Sequence, residues 1–435
     1  MEVISNLDYA KQYETICDRV ARIRREMRIR LVGFNGSTNY SIYNSSLKDV
    51  KKVCLILSAS RSGSSVFVDT LKTCLNSIYF LQGEDTPFYK TYKMDYPLVD
   101  TDFNDPTPTQ LEEIGKDLIS DFWKVGTSKD RKLSSQELLE LVLGRLAFQI
   151  IGSWENIPIK KLRTIIKNRP EISVKQLLEE TLKNCYSSSF SALQYYDPPL
   201  LNESLGANPP INRYLIEEAP FVAFNSDYVP ATPEDMENSW LVIKNPSNIF
   251  RLNLIRKLYP NAEFKYLFMV RNPAATINGL MDGWLHHGFY SYFLPDHELK
   301  VNGYKYSKFW NFDLFPKWKD HLGSTRLEEL CFWQWYHANE KICDWVGGHD
   351  DSRVLKFEDF IDLKTRPQVI KEISDFLEVE SIPDAACGEL NTVMATKPPS
   401  PERWRLRAAE ITPFFDVPQY KILAEKMGYA SREER

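Results

Sequence analysis

The sequence lacks the features that mark metal-binding, membrane-spanning and nucleic-acid-binding proteins. Its 435 residues include seven cysteines and six histidines, with no Cys-x-x-Cys pair and no His-Glu-x-x-His motif. We therefore expect no structural or catalytic metal. No window approaches the roughly 18 apolar residues that a membrane span needs. The formal net charge is only -5, which argues against general nucleic-acid binding.

The same absences favour a cytoplasmic protein. The N-terminal segment carries charges early and has no apolar stretch of the kind that signal peptides contain. An odd number of irregularly spaced cysteines is typical of reduced thiols. We predict a cytoplasmic location, with no membrane partner and no nucleic-acid partner, while the sequence does not indicate the oligomeric state.

The most informative pattern that is present lies between residues 51 and 73. Val53–Leu57 is typical of a strand buried on both faces, and the apolar spacing over 66–71 predicts a helix. Free N–H groups and the dipole at a helix N-terminus favour a phosphate. The loop lacks the Gly-x-x-x-x-Gly-Lys pattern, which disfavours an ordinary ATPase; serines that merely cap the helix are the alternative. The predicted anion loop consists of Ser60, Arg61, Ser62, Gly63, Ser64 and Ser65.

Two further strand ends carry a cation. Tyr266–Val270 predicts a buried strand that ends on Arg271 and continues through Asn-Pro into a helix, because proline is tolerated in a first helical turn. The apolar run over 240–243 likewise ends on Lys244. Open α/β sheets bind ligands at the carboxyl ends of their strands. Arg61, Lys244 and Arg271 therefore predict one electropositive crevice.

In these segments the chain resembles the sulfotransferase superfamily, whose members transfer a sulfuryl group from 3′-phosphoadenosine 5′-phosphosulfate (PAPS). The loop around Arg61 resembles the family's 5′-phosphosulfate loop, and Arg271 with its helix resembles the 3′-phosphate element. The Lys244 strand, the strand that leads into Glu358 and the segment 400–405 resemble further family pieces in the expected order. The resemblance implies a three-layer, P-loop-like α/β fold with a central parallel sheet, and PAPS as co-substrate.

The resemblance also implies which residues bind the donor. Gly279 stands where the family commonly has a serine, and Asn278 or Thr276 is expected to replace that contact. Phe357 stands where many members have a tyrosine whose hydroxyl reaches the 3′-phosphate, a bond that phenylalanine cannot make. The implied donor site adds to the anion loop Arg271, Asn278, Gly279, Ser400, Arg403 and Trp404.

Sulfuryl transfer places negative charge on the bridging oxygen of the donor, so cations must converge on that point. Arg61 and Lys244 are the candidates, because fixed cations in a dry crevice stabilise charge better than water does. Lys244 is also a candidate proton donor to the bridging oxygen if burial lowers its pKa. A surface lysine at a strand end is the alternative reading of Lys244.

The acceptor must lose a proton, so the site also needs a base. Glu84 follows the predicted strand at 77–81 and resembles the glutamate base of tyrosylprotein sulfotransferases, with Asp85 as the next candidate. A neighbouring carboxylate and partial burial raise a glutamate pKa toward the working range of a base. His286 and His287 are alternatives, because cytosolic sulfotransferases use histidine. A solvated acidic turn is the structural alternative for Glu84.

Connection lengths divide the chain into three parts. We predict an N-terminal helical segment at 1–50, an α/β domain at 51–105 and 238–435, and a mainly helical insertion or cap at 106–237. The apolar stripe of the N-terminal segment predicts a helix that packs on the domain with solvated arginines. Helical spacing follows a Ser-Ser cap at 134–135, and the proline-rich stretch over 197–233 predicts an irregular return path. The aromatic region 284–316 either lines an acceptor pocket or pins a loop to the core.

These patterns predict a PAPS-dependent sulfotransferase that acts on a hydroxyl or amine of a small-molecule acceptor. Protein or carrier-bound acceptors are alternatives. A nucleotide kinase would need a lysine directly before Ser64, which the chain lacks. A nonenzymatic relative that kept the fold is the other rival, and Gly279 and Phe357 are the residues that favour it.

Overall fold

The structure is a computed structural model that describes residues 5–33, 42–127, 130, 133–149, 159–169, 172, 176, 214, 216–217, 228–285, 291–382, 388–390 and 402–429. The strands are β1 (Lys52–Leu57), β2 (Ile78–Leu81), β3 (Phe122–Val125), β4 (Tyr228–Pro230), β5 (Trp240–Lys244), β6 (Glu263–Val270), β7 (Ser291–Phe293), β8 (Phe309–Asn311) and β9 (Ser352–Lys356). The helices are α1 (Asn6–Gly33), α2 (Ser64–Cys74), α3 (Thr86–Thr91), α4 (Pro108–Ile119), α5 (Ser135–Leu146), α6 (Ile159–Asn168), α7 (Pro233–Asn238), α8 (Leu252–Leu258), α9 (Pro273–Trp284), α10 (Leu327–Val346), α11 (Phe357–Ile361), α12 (Arg366–Leu377), α13 (Ala408–Ile411) and α14 (Pro418–Lys426).

A seven-stranded sheet with the order β4-β3-β2-β5-β1-β6-β9 lies at the centre of the fold. The five strands from β2 to β9 in that order are parallel. The α/β fold with a central sheet is therefore confirmed. The sheet is mixed rather than wholly parallel, because β3 and β4 extend it in the antiparallel direction.

The expected irregular path is wrong at its end, since Tyr228–Pro230 is the edge strand β4. Proline fits this position because an edge strand leaves one row of its N–H groups unpaired. Residues 177–211 of the predicted insertion lie outside the described residues. The three-part division of the chain stays a prediction.

The apolar runs form buried strands because both faces of the sheet are covered. Cys54 and Ile56 of β1 pack into a core that includes Phe67 of α2 and Ile370 of α12. Leu55, between them, faces the opposite core. This alternation places helices on both sides of the sheet and produces three layers.

The predicted Ser-Ser cap begins α5. The Ser134 hydroxyl accepts a hydrogen bond from the Glu137 N–H, and the Glu137 carboxylate accepts one from the Ser134 N–H at 2.6 Å. This reciprocal capping satisfies two backbone donors that a helix start leaves unpaired. Across all helices in the described ranges, none combines the length and the apolar character needed to cross a bilayer.

The N-terminal helix α1 packs on the domain through buried charge as well as through its apolar stripe. Arg24 donates to Asp117 of α4 at 2.7 Å, and Arg28 approaches the other carboxylate oxygen at 2.5 Å. The side chains of Arg24 and Asp117 are 2% and 0% exposed. The expectation of solvated arginines is therefore wrong at Arg24. Its partners Asp117, Ser120 and the Gly144 carbonyl lie elsewhere in the chain and carry no local sequence signal.

Replacing Asp117 by Ala should destabilise the protein by about 3–5 kcal/mol, because the change leaves buried arginines without their counter-charge. The matched control is Glu113→Ala on the same helix, whose partner Arg25 is exposed; it should cost less than about 1 kcal/mol. Urea unfolding of the two variants measures the difference. If the two variants lose the same free energy of unfolding, the buried ion pair is not what holds α1 on the domain.

Candidate active site

The loop between β1 and α2 has a backbone suited to an anion. Gly63, the residue before α2, has φ of 89°, and Arg61 is also left-handed, with φ of 69°. Such alternation turns successive N–H groups toward one side of the chain. The first turn of α2 adds N–H groups that have no partner within the helix. The predicted anion loop therefore presents backbone donors at a helix N-terminus.

Lys244 and Glu84 form an ion pair at this helix start. The Lys244 Nζ lies 2.5 Å from Glu84 Oε1 and 3.2 Å from the Ser65 hydroxyl. Their side chains are 10% and 22% exposed, respectively. Burial raises the pKa of the Glu84 carboxyl, and the Lys244 charge opposes that rise. The structure thus brings together three of the predicted residues: the cation at the end of β5, the glutamate after β2 and a serine of α2.

Asp85 has a different environment from its neighbour. One of its carboxylate oxygens accepts from Asn245 at 2.7 Å, and the other accepts from Asn248 at 2.7 Å and from the Tyr89 hydroxyl at 3.0 Å. These bonds occupy the buried carboxylate and tie the turn after β2 to the turn after β5. The geometry therefore favours Glu84 over Asp85 as a base. His286 and His287 lie outside the described residues.

A buried ion pair supports the turn that carries Glu84. Asp121 accepts from the Gln82 backbone N–H at 3.2 Å and from Arg145 Nη1 at 2.9 Å. Arg145 is buried and also pairs with Glu217. This support fixes the backbone two residues before Glu84, and it comes from β3 and α5, within the predicted insertion.

Arg271 lies at the carboxyl end of β6, close to the anion loop. Its Nη1 donates to the Arg61 carbonyl at 2.9 Å, and its guanidinium lies over the Phe357 ring, 5.0 Å from the centroid. Burial and the charge of Arg403 lower the pKa of Arg271, against the opposing effect of Glu358. Phe357 therefore serves as an apolar platform for the guanidinium, which gives a physical reason for a ring at this position without the tyrosine hydroxyl.

The α9 residues that were expected to replace the missing serine have other contacts. The Asn278 side-chain oxygen accepts from Arg407 at 2.7 Å, and the Thr276 hydroxyl donates to the Asn272 carbonyl at 3.1 Å. A Cβ on Gly279 would lie 3.2 Å from Cβ of Arg61. Gly279 thus permits close packing of the Arg61 side chain on α9, and this packing favours the smallest residue there.

The C-terminal segment contributes cations on the Arg271 side of the crevice. Arg403 and Arg407 both pair with Asp282 of α9, the latter at 2.9 Å. Arg403 Nη1 is buried and has no hydrogen-bond partner among the described residues. Trp404 is buried, and its ring packs edge-on against Phe415. Ser400 lies outside the described residues.

Asp313 is a site residue that the sequence analysis missed. Its two carboxylate oxygens accept hydrogen bonds from the Ser60 hydroxyl at 2.6 Å and from the Ser247 hydroxyl at 2.5 Å. Asp313 follows β8 inside the aromatic region and belongs to no local motif, so its contacts with residues far away in the chain had no sequence signal.

The aromatic region is pinned to the core by its large rings. The buried Trp284 contacts Tyr304 and Trp310 edge-on, with ring centroids 5.1 and 5.7 Å apart. Burial and the charge of Asp95 raise the pKa of the Tyr292 phenol in β7, and the carboxylates of Asp313 and Glu84 act in the same direction. Within the described ranges, no three His, Cys, Asp or Glu side chains are grouped to hold a metal ion.

Replacing Gly63 by Ala should destabilise the protein by at least about 2 kcal/mol, since a left-handed residue gains a Cβ and the core is overpacked. That Cβ would lie 2.1 Å from Cε2 of Phe357. The matched control is Gly303→Ala, at φ of 76° with open space around it. Thermal unfolding should show the larger loss at Gly63, and Gly63→Ala/Phe357→Ala should lose less than the sum of the two single variants, because the clash is then absent. Additive losses would refute the clash.

Comparison with known proteins finds a family similarity over part of the chain. Residues 162–311 match the model of the sulfotransferase family, whereas no curated protein matches the chain. The segment includes β5, β6 and the Arg271 element.

Three solved structures are similar in part. The sulfotransferase domain from the curacin biosynthetic pathway is 12% identical, with 87% of this chain and 98% of that one covered and a TM-score of 0.37. The sulfotransferase domain from the Synechococcus PCC 7002 olefin synthase is 14% identical, with 88% of this chain and 96% of that one covered and a TM-score of 0.32. Sulfotransferase STF1 from Mycobacterium tuberculosis H37Rv is 12% identical, with 98% of each chain covered and a TM-score of 0.34. The family match thus lies on the part of the chain that carries the Lys244 and Arg271 strand ends, and residues 162–311 are similar to the sulfotransferase family.

Proposed function

We propose that the protein transfers a sulfuryl group from PAPS to a hydroxyl or amine of a small-molecule acceptor. One observation carries the proposal: a buried lysine and a glutamate with a raised pKa meet at the anion-binding start of α2. Sulfuryl transfer needs a cation for the leaving oxygen and a base for the acceptor at one point. A kinase-type phosphate loop would instead need a lysine before Ser64, where the chain has Gly63.

The residues present fit a nucleotide with phosphates at both ends of the ribose. The anion loop, with Ser65 and the N–H groups of α2, would hold the 5′-phosphosulfate. Arg271 and Arg403 would hold the 3′-phosphate. Two neighbouring arginines, one with a buried N–H that lacks a partner in the described part of the chain, are well suited to an anionic ligand. Gly279 and Phe357 do not count against donor binding, because their contacts position Arg61 and Arg271.

Lys244 has two tasks in the proposed mechanism. Its ammonium group pairs with the Glu84 carboxylate. When a donor occupies the anion loop, the lysine turns toward the phosphosulfate and, with Arg61, stabilises the negative charge that develops on the leaving oxygen. Glu84 then loses its counter-charge. It takes the proton of the acceptor hydroxyl or amine as that group attacks in line, and the bisphosphate leaves.

The acceptor side of the crevice is formed by the β7–β8 hairpin. Tyr96 contacts the Tyr292 ring edge-on at a centroid distance of 5.8 Å, and the Lys90 Nζ lies 4.1 Å from the centre of that ring. An aromatic wall with a few polar groups is typical of sites for small organic molecules. This wall is the reason to favour a small-molecule acceptor.

Glu84→Gln should reduce donor turnover by about 10²–10⁴-fold, the usual contribution of a general base. Its affinity for 3′-phosphoadenosine 5′-phosphate should be unchanged or tighter, because the anion loop is intact and Lys244 no longer pairs with a carboxylate. His287→Ala is the comparison and should retain turnover. Release of bisphosphate from PAPS, in the presence of a panel of phenols, alcohols and amines, measures both variants.

The pH profile separates a base from a structural carboxylate. Because Glu84 must be ionised to accept a proton and its pKa is raised, wild-type turnover should fall as the pH drops, starting above the ordinary glutamate range of about 4.3. The residual rate of Glu84→Gln should lack that acidic limb. Loss of turnover in His287→Ala instead, with an unchanged limb in Glu84→Gln, would transfer the role of base to the histidine.

A further inference from the structure

We propose that Asp313 is a positioning residue that sets the placement of the anion loop relative to the turn carrying Glu84. The inference rests on the proposed function and adds to it a residue from a third part of the chain. Asp313 touches neither Lys244 nor Glu84 through any described hydrogen bond, and it acts through Ser60 and Ser247.

The two serines lie in the loops that follow two neighbouring strands. Ser60 begins the anion loop after β1, and Ser247 lies just beyond Lys244, in the turn after β5. The pairing of β1 with β5 ends at Ile56 and Lys244, before either serine. One carboxylate accepts a hydrogen bond from each serine, at 2.6 and 2.5 Å, and hydrogen bonds to an ionised acceptor are short and roughly twice as strong as neutral ones. Asp313 therefore bridges the two loops beyond the point where the strand pairing ends.

The bridge continues to the base. The Ser247 N–H donates to the Asn245 side-chain oxygen at 3.0 Å, and the Asn245 amide donates to Asp85 at 2.7 Å. Asp85 is the residue next to Glu84. An unbroken series of hydrogen bonds thus leads from the anion loop through Asp313 to the backbone that carries the base.

Asp313 is itself held rigidly. Its backbone carbonyl accepts from the Trp310 indole N–H at 3.1 Å and from the Gln334 amide at 3.2 Å. The same Gln334 amide donates to the Asn311 carbonyl at 2.8 Å. Gln334 lies on the long helix α10, so the carboxylate is anchored to the layer that covers the sheet. A positioning residue needs this kind of support, because reactive groups must be placed within about 0.5 Å.

The charge of Asp313 argues against a role in binding the donor. A carboxylate beside an anion loop repels phosphate, so its presence there weakens donor binding. Burial raises the pKa of Asp313, while the two serine hydroxyls and the charges of Arg251 and Lys244 favour its ionised form. Asp313 disfavours donor binding and yet bridges two loops of the site. Its role is therefore to position the reacting groups.

The test separates placement from binding. Asp313→Ala should lower kcat with the best acceptor of the hydroxyl and amine panel, or with water if no acceptor is found, by about 10-fold or more. Its Kd for 3′-phosphoadenosine 5′-phosphate should be unchanged or tighter. Asp313→Asn, which keeps the shape and removes the charge, should also bind at least as tightly and lose less kcat. The control is Asp320→Ala, an exposed residue of the same segment that should alter neither quantity.

Ser247→Ala keeps the inference testable if Asp313 variants fail to fold. This variant should have a lower kcat and an unchanged affinity for the bisphosphate. The double variant Ser247→Ala/Asp313→Ala should lose little more kcat than the worse single variant, because both changes interrupt the same bridge. Equal weakening of kcat and of bisphosphate binding would make Asp313 a simple loop support and overturn the inference, as would unchanged kcat. If wild type itself does not bind the bisphosphate, the proposed function fails first.

Discussion

The ion pair between Lys244 and Glu84 is the interaction on which the rest of the crevice depends. Two unlike charges taken mostly out of water cost free energy, and their mutual attraction offsets that cost only in good geometry. Here the pair lies at the start of α2, where the helix dipole and free N–H groups favour an anion. The site therefore contains its own carboxylate, and under the proposed function a phosphosulfate would compete with Glu84 for the same cation. Binding of the donor and release of the base would then be one event.

The surrounding elements serve to hold this pair in place. Two hydrogen bonds hold the turn that carries Glu84: the Gln82 N–H donates to Asp121, and the Asn245 amide donates to Asp85. On the far side, Gly63 lets the Phe357 ring approach the loop, and that ring supports the Arg271 guanidinium. The left-handed glycine at 63 and the lack of a side chain at Gly279 thus both allow close packing around the anion loop. The two departures from the family pattern belong to this packing.

Much of the fold could be predicted because its strands are buried on both faces. The apolar runs of β1, β2, β5 and β6 are short and end on charged or polar residues. The sequence therefore predicted where these strands lie in the chain and which polar residues follow them. Parallel strands bring such ends to one edge, which is why Lys244 and Glu84 could be expected to meet. The antiparallel strands β3 and β4 at one side of the sheet, Phe-Trp-Lys-Val and Tyr-Val-Pro, include a lysine and a proline and do not form an apolar run of this kind.

The missed residues depend on contacts between distant parts of the chain. Asp313 meets Ser60 from 253 positions away. Arg24 looks like a solvated helix arginine until Asp117 is brought against it by the docking of α1 on α4. Phe357 looks like a lost tyrosine hydroxyl until the Arg271 guanidinium is found above its ring. In each case the local pattern is that of an ordinary surface or core residue, and only tertiary packing assigns the role.

The central claim is that the crevice binds a nucleotide through two separate anion sites, and calorimetric titration tests it most directly. The wild-type protein should bind 3′-phosphoadenosine 5′-phosphate at least about 10-fold more tightly than adenosine 5′-phosphate, since the 3′-phosphate gains charge-assisted bonds worth about 1.5–3 kcal/mol. Arg271→Met should remove that preference, and ATP with magnesium should bind weakly. Equal affinity for the two adenosine nucleotides, or a preference for ATP with magnesium, would contradict the account.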